Sequence, residues 1–147
     1  MKILAIDPGT NESGYVLMDG LKIIDKGNIG NDSLRTRMFL GFDCEHVIIE
    51  KMENQGMPVG SEVLDTCIWI GRFVERAALM SKSWELITRK TVRLHLCGSS
   101  RAKDSNIRQA LLDRYGKEVT KGVVRHAWQA LALATTYLDR PHSADGS

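Results

Sequence analysis

Two stretches of this sequence, "ILAID" over residues 3–7 and "HVIIE" over residues 46–50, share one design: a short apolar run that closes on a carboxylate. Runs of this length and composition read as buried strands. Asp7 is followed by Pro8 and Gly9, and an Asp in that place also starts turns, so taken alone it is either a turn former or a functional acid. Glu50 repeats the arrangement. The ends of adjacent strands lie about 5 Å apart, so the two carboxylates meet if their strands pair. Buried carboxylates at that spacing repel unless they share a cation or meet Lys or Arg. A divalent metal resolves the pair, and oxygen ligands point to Mg²⁺ or Mn²⁺. His126 and Gln129, three residues apart, are the candidates for completing such a site, because the rest of residues 123–134 is apolar apart from Arg125. A single His on an apolar helix is more often a hydrogen-bonded core or surface residue; two strand-end carboxylates nearby reverse that preference.

The elements that must position these residues follow from the pattern. Strands are expected over residues 2–7, 14–18 and 22–27, with Asp19-Gly20 as the two-residue hairpin signal between the second and third. A helix from Asn31 or Asp32 to Leu40 precedes the fourth strand, residues 46–50. After the loop "GMPVG", Ser61 caps a long helix to about Ser81, and "WELIT" is a fifth strand. "SRAKDSNIRQALLDRYG" reads as a basic amphipathic helix ending at Gly116, and "VVRHAWQALALATTYL" as a closing helix that is apolar almost all round. The expected class is α/β: a five-stranded mixed sheet, its first three strands antiparallel, with helices on both faces.

The 147 residues, 43% of them apolar, suit one domain over residues 1–139, followed by a flexible tail over residues 140–147. No apolar run spans a bilayer and the N-terminus runs straight into a strand, so a cytoplasmic protein with no membrane partner is expected. Cys44, Cys67 and Cys97 match no zinc spacing and read as reduced, mostly buried residues. The net charge of +2 conceals a division: residues 89–140 carry 11 Lys and Arg against 4 Asp and Glu, whereas residues 1–88 carry 9 against 13. A basic segment beside an acidic one suits a polyanion next to a cation site, although a solvated basic face needs no partner. Ser99, Ser100, Arg101 and Lys103 at a helix start, with Arg108 on the same helix, are the candidate phosphate-binding residues; a capped surface helix is the other reading. Trp69 and Phe73, at i and i+4 of the long helix, fit either an interface or the core.

"ILAIDPGTNESGYVLMD", "HVIIE", "GSSRAKDSNIRQAL" and "HAWQALALA", in that order, resemble the RuvC family of Holliday-junction resolvases within the RNase H-like superfamily. Among these the short RuvC-like proteins of phages are the nearest in pattern, and the likeness spans about residues 2–138. It implies an RNase H-like fold in which Asp7 matches the first-strand aspartate and Glu50 the fourth-strand glutamate. His126 and Gln129 fall on the two positions of the last helix where the family usually has aspartates. His occurs at the first of these in some branches; Gln at the second departs from the pattern, because an amide brings no charge. Either His126 suffices as the third ligand or cutting is impaired. Asp104 is the reserve acid.

The resemblance implies a crossover junction endodeoxyribonuclease that hydrolyses phosphodiesters with two Mg²⁺ or Mn²⁺ ions per site. Asp7, Glu50 and His126 are its expected ligands, and Gln129 is a fourth active-site position. It also implies branched DNA as substrate, four-way junctions first, a homodimer built through Trp69 and Phe73, and no nucleotide cofactor. Action in a bacterial or phage-infected cell is expected. A junction-binding protein with little or no cutting activity is the alternative that Gln129 suggests. An actin-like ATPase or sugar kinase would share "DPGT", but such enzymes repeat the fold in two lobes.

Overall fold

The computed structural model describes residues 1–54 and 56–141. Five strands form one mixed sheet: β1 (Lys2–Asp7), β2 (Glu12–Asp19), β3 (Lys22–Gly30), β4 (His46–Lys51) and β5 (Ser83–Thr88), in the order β3-β2-β1-β4-β5. The first three are antiparallel neighbours, while β4 runs parallel to both β1 and β5. The hairpin signal is met: Asp19 pairs with Lys22, and Gly20 takes φ +60° in the turn, a conformation that glycine adopts at little cost. Register decides the function-bearing feature. Ile6 pairs with Ile49, so Asp7 and Glu50 leave the sheet side by side, and Glu50 in turn faces Ile87 near the end of β5.

Both faces of the sheet are covered, which is why β1 is a continuous apolar run rather than an alternating one. Leu4 and Ile6 point to the face carrying α1 (Asn31–Leu40) and α2 (Ser61–Leu79), where they join Leu34, Ile70 and Phe73. Ile3 and Ala5 point to the other, where α3 (Arg89–Cys97), α4 (Asp104–Val119) and α5 (Ala127–Leu138) contribute Val92, Ile107, Leu111 and Leu131. Helix α5 lies against the sheet and is buried from Ala130 to Tyr137, consistent with its nearly uniform apolarity.

Several local expectations change. The nine-residue helix α3 fills residues 89–97, a stretch that the apolar pattern left without an element. The closing helix begins at Ala127 rather than near residue 123; Arg125, at φ +52°, cannot lie in a right-handed helix. Helix α4 starts at Asp104, so Ser99 to Lys103 precede it, and it continues past Gly116 through a kink at φ +83°. Ser61 is the first residue of α2, whose N-cap is Gly60, and Cys67 is exposed on that helix. Arg140, the first residue of the expected tail, is ion-paired with Glu85, and residues 142–147 lie outside the described residues. Among the described residues no helix is long and apolar enough to cross a membrane.

Candidate active site

At the shared edge of β1 and β4, Asp7 and Glu50 are 2% and 5% exposed. A third strand end completes the cluster. Strand β5 stops at Thr88, whose side chain caps α3, and the first residue of that helix, Arg89, reaches back across the strand ends. Its Nε donates to Glu50 Oε1 at 2.6 Å and its Nη2 to Glu50 Oε2 at 3.1 Å, the two-pronged geometry suited to a carboxylate. The same Nη2 lies 3.4 Å from Asp7 Oδ1. On the far side, His126 Nδ1 is 3.1 Å from Asp7 Oδ2.

The electrostatics of the pair are unequal. Burial pushes the Glu50 carboxyl up, and a hydrogen bond shared with Asp7 together with the Asp7 charge adds to this; Arg89 offsets only part, leaving Glu50 near 8. Burial also works against the Asp7 charge. There the hydrogen bonds with His126 and Glu50 and the Arg89 charge prevail, and Asp7 sits below the usual carboxylate range. His126 is raised from the ordinary imidazole value, first by its hydrogen bond to Asp7. Two buried carboxyl groups thus face one guanidinium, and the raised Glu50 value marks the strand ends as short of positive charge.

That shortage is a test of whether the residues fit a divalent metal. Two buried carboxylates are the hard oxygen donors that Mg²⁺ or Mn²⁺ takes, and an added cation relieves the repulsion that raises Glu50. Among the described residues no three His, Cys, Asp or Glu side chains form a ready-made ligand set. An ion held at the pair would therefore complete its shell with water or phosphate oxygens, as Mg²⁺ commonly does.

Backbone geometry brings His126 to Asp7 across 119 residues of sequence. Gly14 of β2 makes room for it: a Cβ there would stand 2.3 Å from the His126 carbonyl carbon, so any side chain would drive the turn away from the sheet. Asn28 Nδ2 donates to the Val124 carbonyl at 2.9 Å, and Arg125 pairs with Glu12 at 2.7 Å. The loop after Asp7 is held as firmly. Gly9 N–H donates to Ser13 Oγ at 3.2 Å, Asn31 Nδ2 donates to the Gly9 carbonyl at 2.9 Å, and the buried Ser13 hydroxyl donates to Asn31 Oδ1.

The cluster forms part of the wall of a broad groove of about 1080 Å³. Glu50, Arg89 and His126 line it together with Lys51, Lys90, Arg93, Ser100 and Arg101. Of the expected phosphate-binding residues, Ser100 and Arg101 are in this wall; Ser99, Lys103 and Arg108 are not. The Ser99 hydroxyl accepts from the Arg101 N–H, Lys103 occupies the N-cap of α4, and the Arg108 guanidinium lies over the Trp128 ring at 5.6 Å. Gln129 makes no hydrogen bond to Asp7 or Glu50 and is not part of the wall, because α5 begins only at Ala127 and His126 stands before it. Asp104 opens α4 and makes no bond to the pair, although its charge acts on Arg89.

Three site residues, Arg89, Lys90 and Arg93, were missed by the reading of the sequence. Their signal was present: where the first and fourth strands close on an ionisable residue, the fifth is followed at once by one, here of opposite sign. Phe73 is fully buried on the inward stripe of α2 with Thr66, Ile70 and Ala77, so it is a core residue and not an interface residue. Trp69 is half-buried against Phe73, with the Arg35 and Arg72 guanidinium groups over its ring. The exposed apolar residues of that helix are Leu64, Ile68 and Leu79.

Comparison of the coordinates with solved structures decides the fold. Thermus thermophilus RuvC in complex with a Holliday junction substrate superposes with a TM-score of 0.72 at 18% identity, over 92% of each chain. The fold is that of RuvC. The fowlpox virus resolvase, in a structure with substrate Holliday junction DNA, gives a TM-score of 0.59 at 14% identity, over 93% of this chain and 98% of that one. The mixed sheet of this chain, β3-β2-β1 antiparallel with helices on both faces, thus belongs to a fold that both resolvases share. No protein-family model matches the sequence, and no curated protein matches it as a relative.

Proposed function

We propose that this protein is a metal-dependent endonuclease that cuts branched DNA, four-way junctions first, and acts as a homodimer. The observation that carries this reading is the buried Asp7–Glu50 pair, short of positive charge, on a groove whose wall also holds five basic residues. A carboxylate pair in that state recruits a cation, and a wall of Lys and Arg recruits a phosphate chain. RuvC-type folds solved with Holliday junction DNA make the branched substrate the natural choice.

Mg²⁺ or Mn²⁺ held by Asp7 and Glu50, with His126 as a further donor, would supply a water of lowered pKa and would stabilise the departing oxygen of the phosphodiester. The chain's own residues do the rest. Asp7 is kept ionised by its bonds to His126 and Glu50 and by the Arg89 charge, and so is a buried anion beside the Glu50 that lines the groove. Lys90, Arg93, Ser100 and Arg101 hold the phosphate chain on the α3 side. The clamp of Ser13 and Asn31 on the Gly9 loop keeps Asp7 from following the substrate. His126 carries a proton shared with Asp7 and must release it from Nδ1 before that nitrogen can bind an ion. Two symmetric cuts in a four-way junction need two sites related by a two-fold axis, hence the dimer. Its outer face would use Leu64 and Ile68 rather than Phe73.

A second reading, a junction-binding protein that does not cut, is favoured by Gln129 and by the arginine already seated on the carboxylates. Incubating labelled four-way junction and matched duplex with the protein in Mg²⁺, in Mn²⁺ and in chelator separates the two. The nuclease reading expects metal-dependent nicks in the junction and little in the duplex. Tight junction binding with no product in either metal would select the second.

A further inference from the structure

The site does not have the charge for two divalent ions. Asp7 and Glu50 are its only carboxylates in mutual contact among the described residues, Gln129 adds none, and the Arg89 guanidinium is already bonded to both acids. Its presence is not explained by the helix on which it sits. Arg89 and Lys90 open α3, the end of a helix where the dipole disfavours cations, and that first turn holds no acid. What accounts for the position is the register of the sheet: β5 lies beside β4, so the residue after Thr88 emerges next to Glu50. Three of its donor bonds are directed to the carboxylates through Nε and Nη2. Nη1 makes none of them, and the side chain is 37% exposed in the groove wall.

We infer that Arg89 is the second cation of this site: the strand ends take up one divalent ion per chain, and Arg89, anchored by Glu50, offers Nη1 to the phosphate oxygen that a second ion would otherwise hold. The inference rests on the nuclease reading above and changes its ion count. A guanidinium suits this place where an ammonium would not, because its planar fork can grip a carboxylate on one edge and leave another edge for phosphate.

Mn²⁺ binding to the metal-free full chain, followed by calorimetry and by the loss of free-ion paramagnetic resonance signal, tests it without reference to activity. Wild type, R89Q, R89K and D7N are compared after a check of their melting curves. One Mn²⁺ per chain is expected in wild type, at least about tenfold tighter binding in R89Q, where the competing charge is gone, and near-wild-type affinity in R89K, where it remains. Two ions per wild-type chain, or the same affinity in R89Q as in wild type, overturns the inference and leaves the nuclease reading standing. No Mn²⁺ binding in wild type above that of D7N overturns both. If R89Q does not fold, the wild-type count and the affinity of R89K decide the matter by the same criteria.

Discussion

The molecule contains the same three residue types in two clusters, and only one of them reads as a site. At the strand ends, Arg89 and His126 surround Asp7 and Glu50; on the α3–α4–α5 side, Arg114 and His95 surround Asp139. Asp139 is 19% exposed at the C-cap of α5, has Arg114 bonded to both of its oxygens, and is held below the usual carboxylate range by Arg114 and His95 against the opposing effect of burial. Its charges balance, and the cluster ties three helices together. At the strand ends two acids share one arginine, burial is nearly complete, and Glu50 is pushed up to about 8. The difference teaches that an arginine–histidine–carboxylate group acts as a clasp when charge is balanced at the surface. With a carboxylate in excess and out of water, it becomes the place where the proposed cation would be taken up.

The sharpest way to break this contrast is Glu50→Gln. Under the account, the variant loses junction cleavage by about 10³-fold or more, because a ligand of the ion is gone. Yet metal-free Glu50→Gln melts above wild type at pH 9. The sign follows from linkage: a carboxyl whose folded value lies near 8, above the unfolded value of about 4.3, makes the native state the better proton binder, so stability falls as pH rises toward and through 8. Below about pH 4, where the Glu50 carboxyl is neutral in the folded and the unfolded chain alike, the two proteins melt together. Equal melting at both pH values would mean that the pair is not in conflict.

Lys90→Glu, Arg93→Glu and Arg101→Glu, all in the groove wall, come next. Each is expected to weaken junction binding by about tenfold at moderate salt and to reduce the slope of log K against log[salt] by about 1. Unchanged slopes would remove the groove as the path of the phosphate chain.

Asp139→Asn gives a smaller effect and the opposite pattern. It should cost about 1 kcal/mol in urea unfolding at pH 7, a modest figure because Arg114 is 38% exposed and its pairing is screened by water, and should leave cleavage unchanged. Asp139 has a lowered value, so its contribution is present above the unfolded pKa of about 3.9 and lost as pH falls through the folded one. The difference between variant and wild type therefore disappears in strong acid. His95→Ala, at the edge of the same cluster, is expected to cost about 0.5 kcal/mol or less. A large loss of cleavage in either variant would make the two clusters one functional unit.

Much of this was legible in the chain itself. Apolar runs ending on Asp7 and Glu50 specify buried strands, and the Asp19-Gly20 signal places the hairpin, because burial and turn chemistry are local properties of sequence; that the two strands are parallel neighbours is set by the sheet. The α3 helix was not legible. Its nine residues include Thr91, Val92 and His95, which have modest helix propensity, and its first turn is basic where the dipole calls for acid. Arg89 went unseen with it, since its partners are 39 and 82 residues distant. The start of α5 was not legible because Val123 and Val124 continue the apolar pattern of the helix, whereas the close approach of Gly14 and the left-handed Arg125 are set by the sheet beneath. Phe73 and Trp69, four residues apart, looked equivalent; the inward stripe Thr66, Ile70, Phe73 and Ala77 separates them once the sheet is in place.

The central claim is that Asp7 serves a cation and not merely the turn into Pro8 and Gly9. Asp7→Asn keeps the shape of the side chain and most of its hydrogen bonding while removing the charge, so binding and cutting can be read on one labelled four-way junction, by gel shift in chelator and by product formation in Mg²⁺ or Mn²⁺. The account predicts junction binding within about threefold of wild type and cleavage reduced by about 10³-fold or more. Asp7→Asn protein that folds, binds and cuts at the wild-type rate would contradict it.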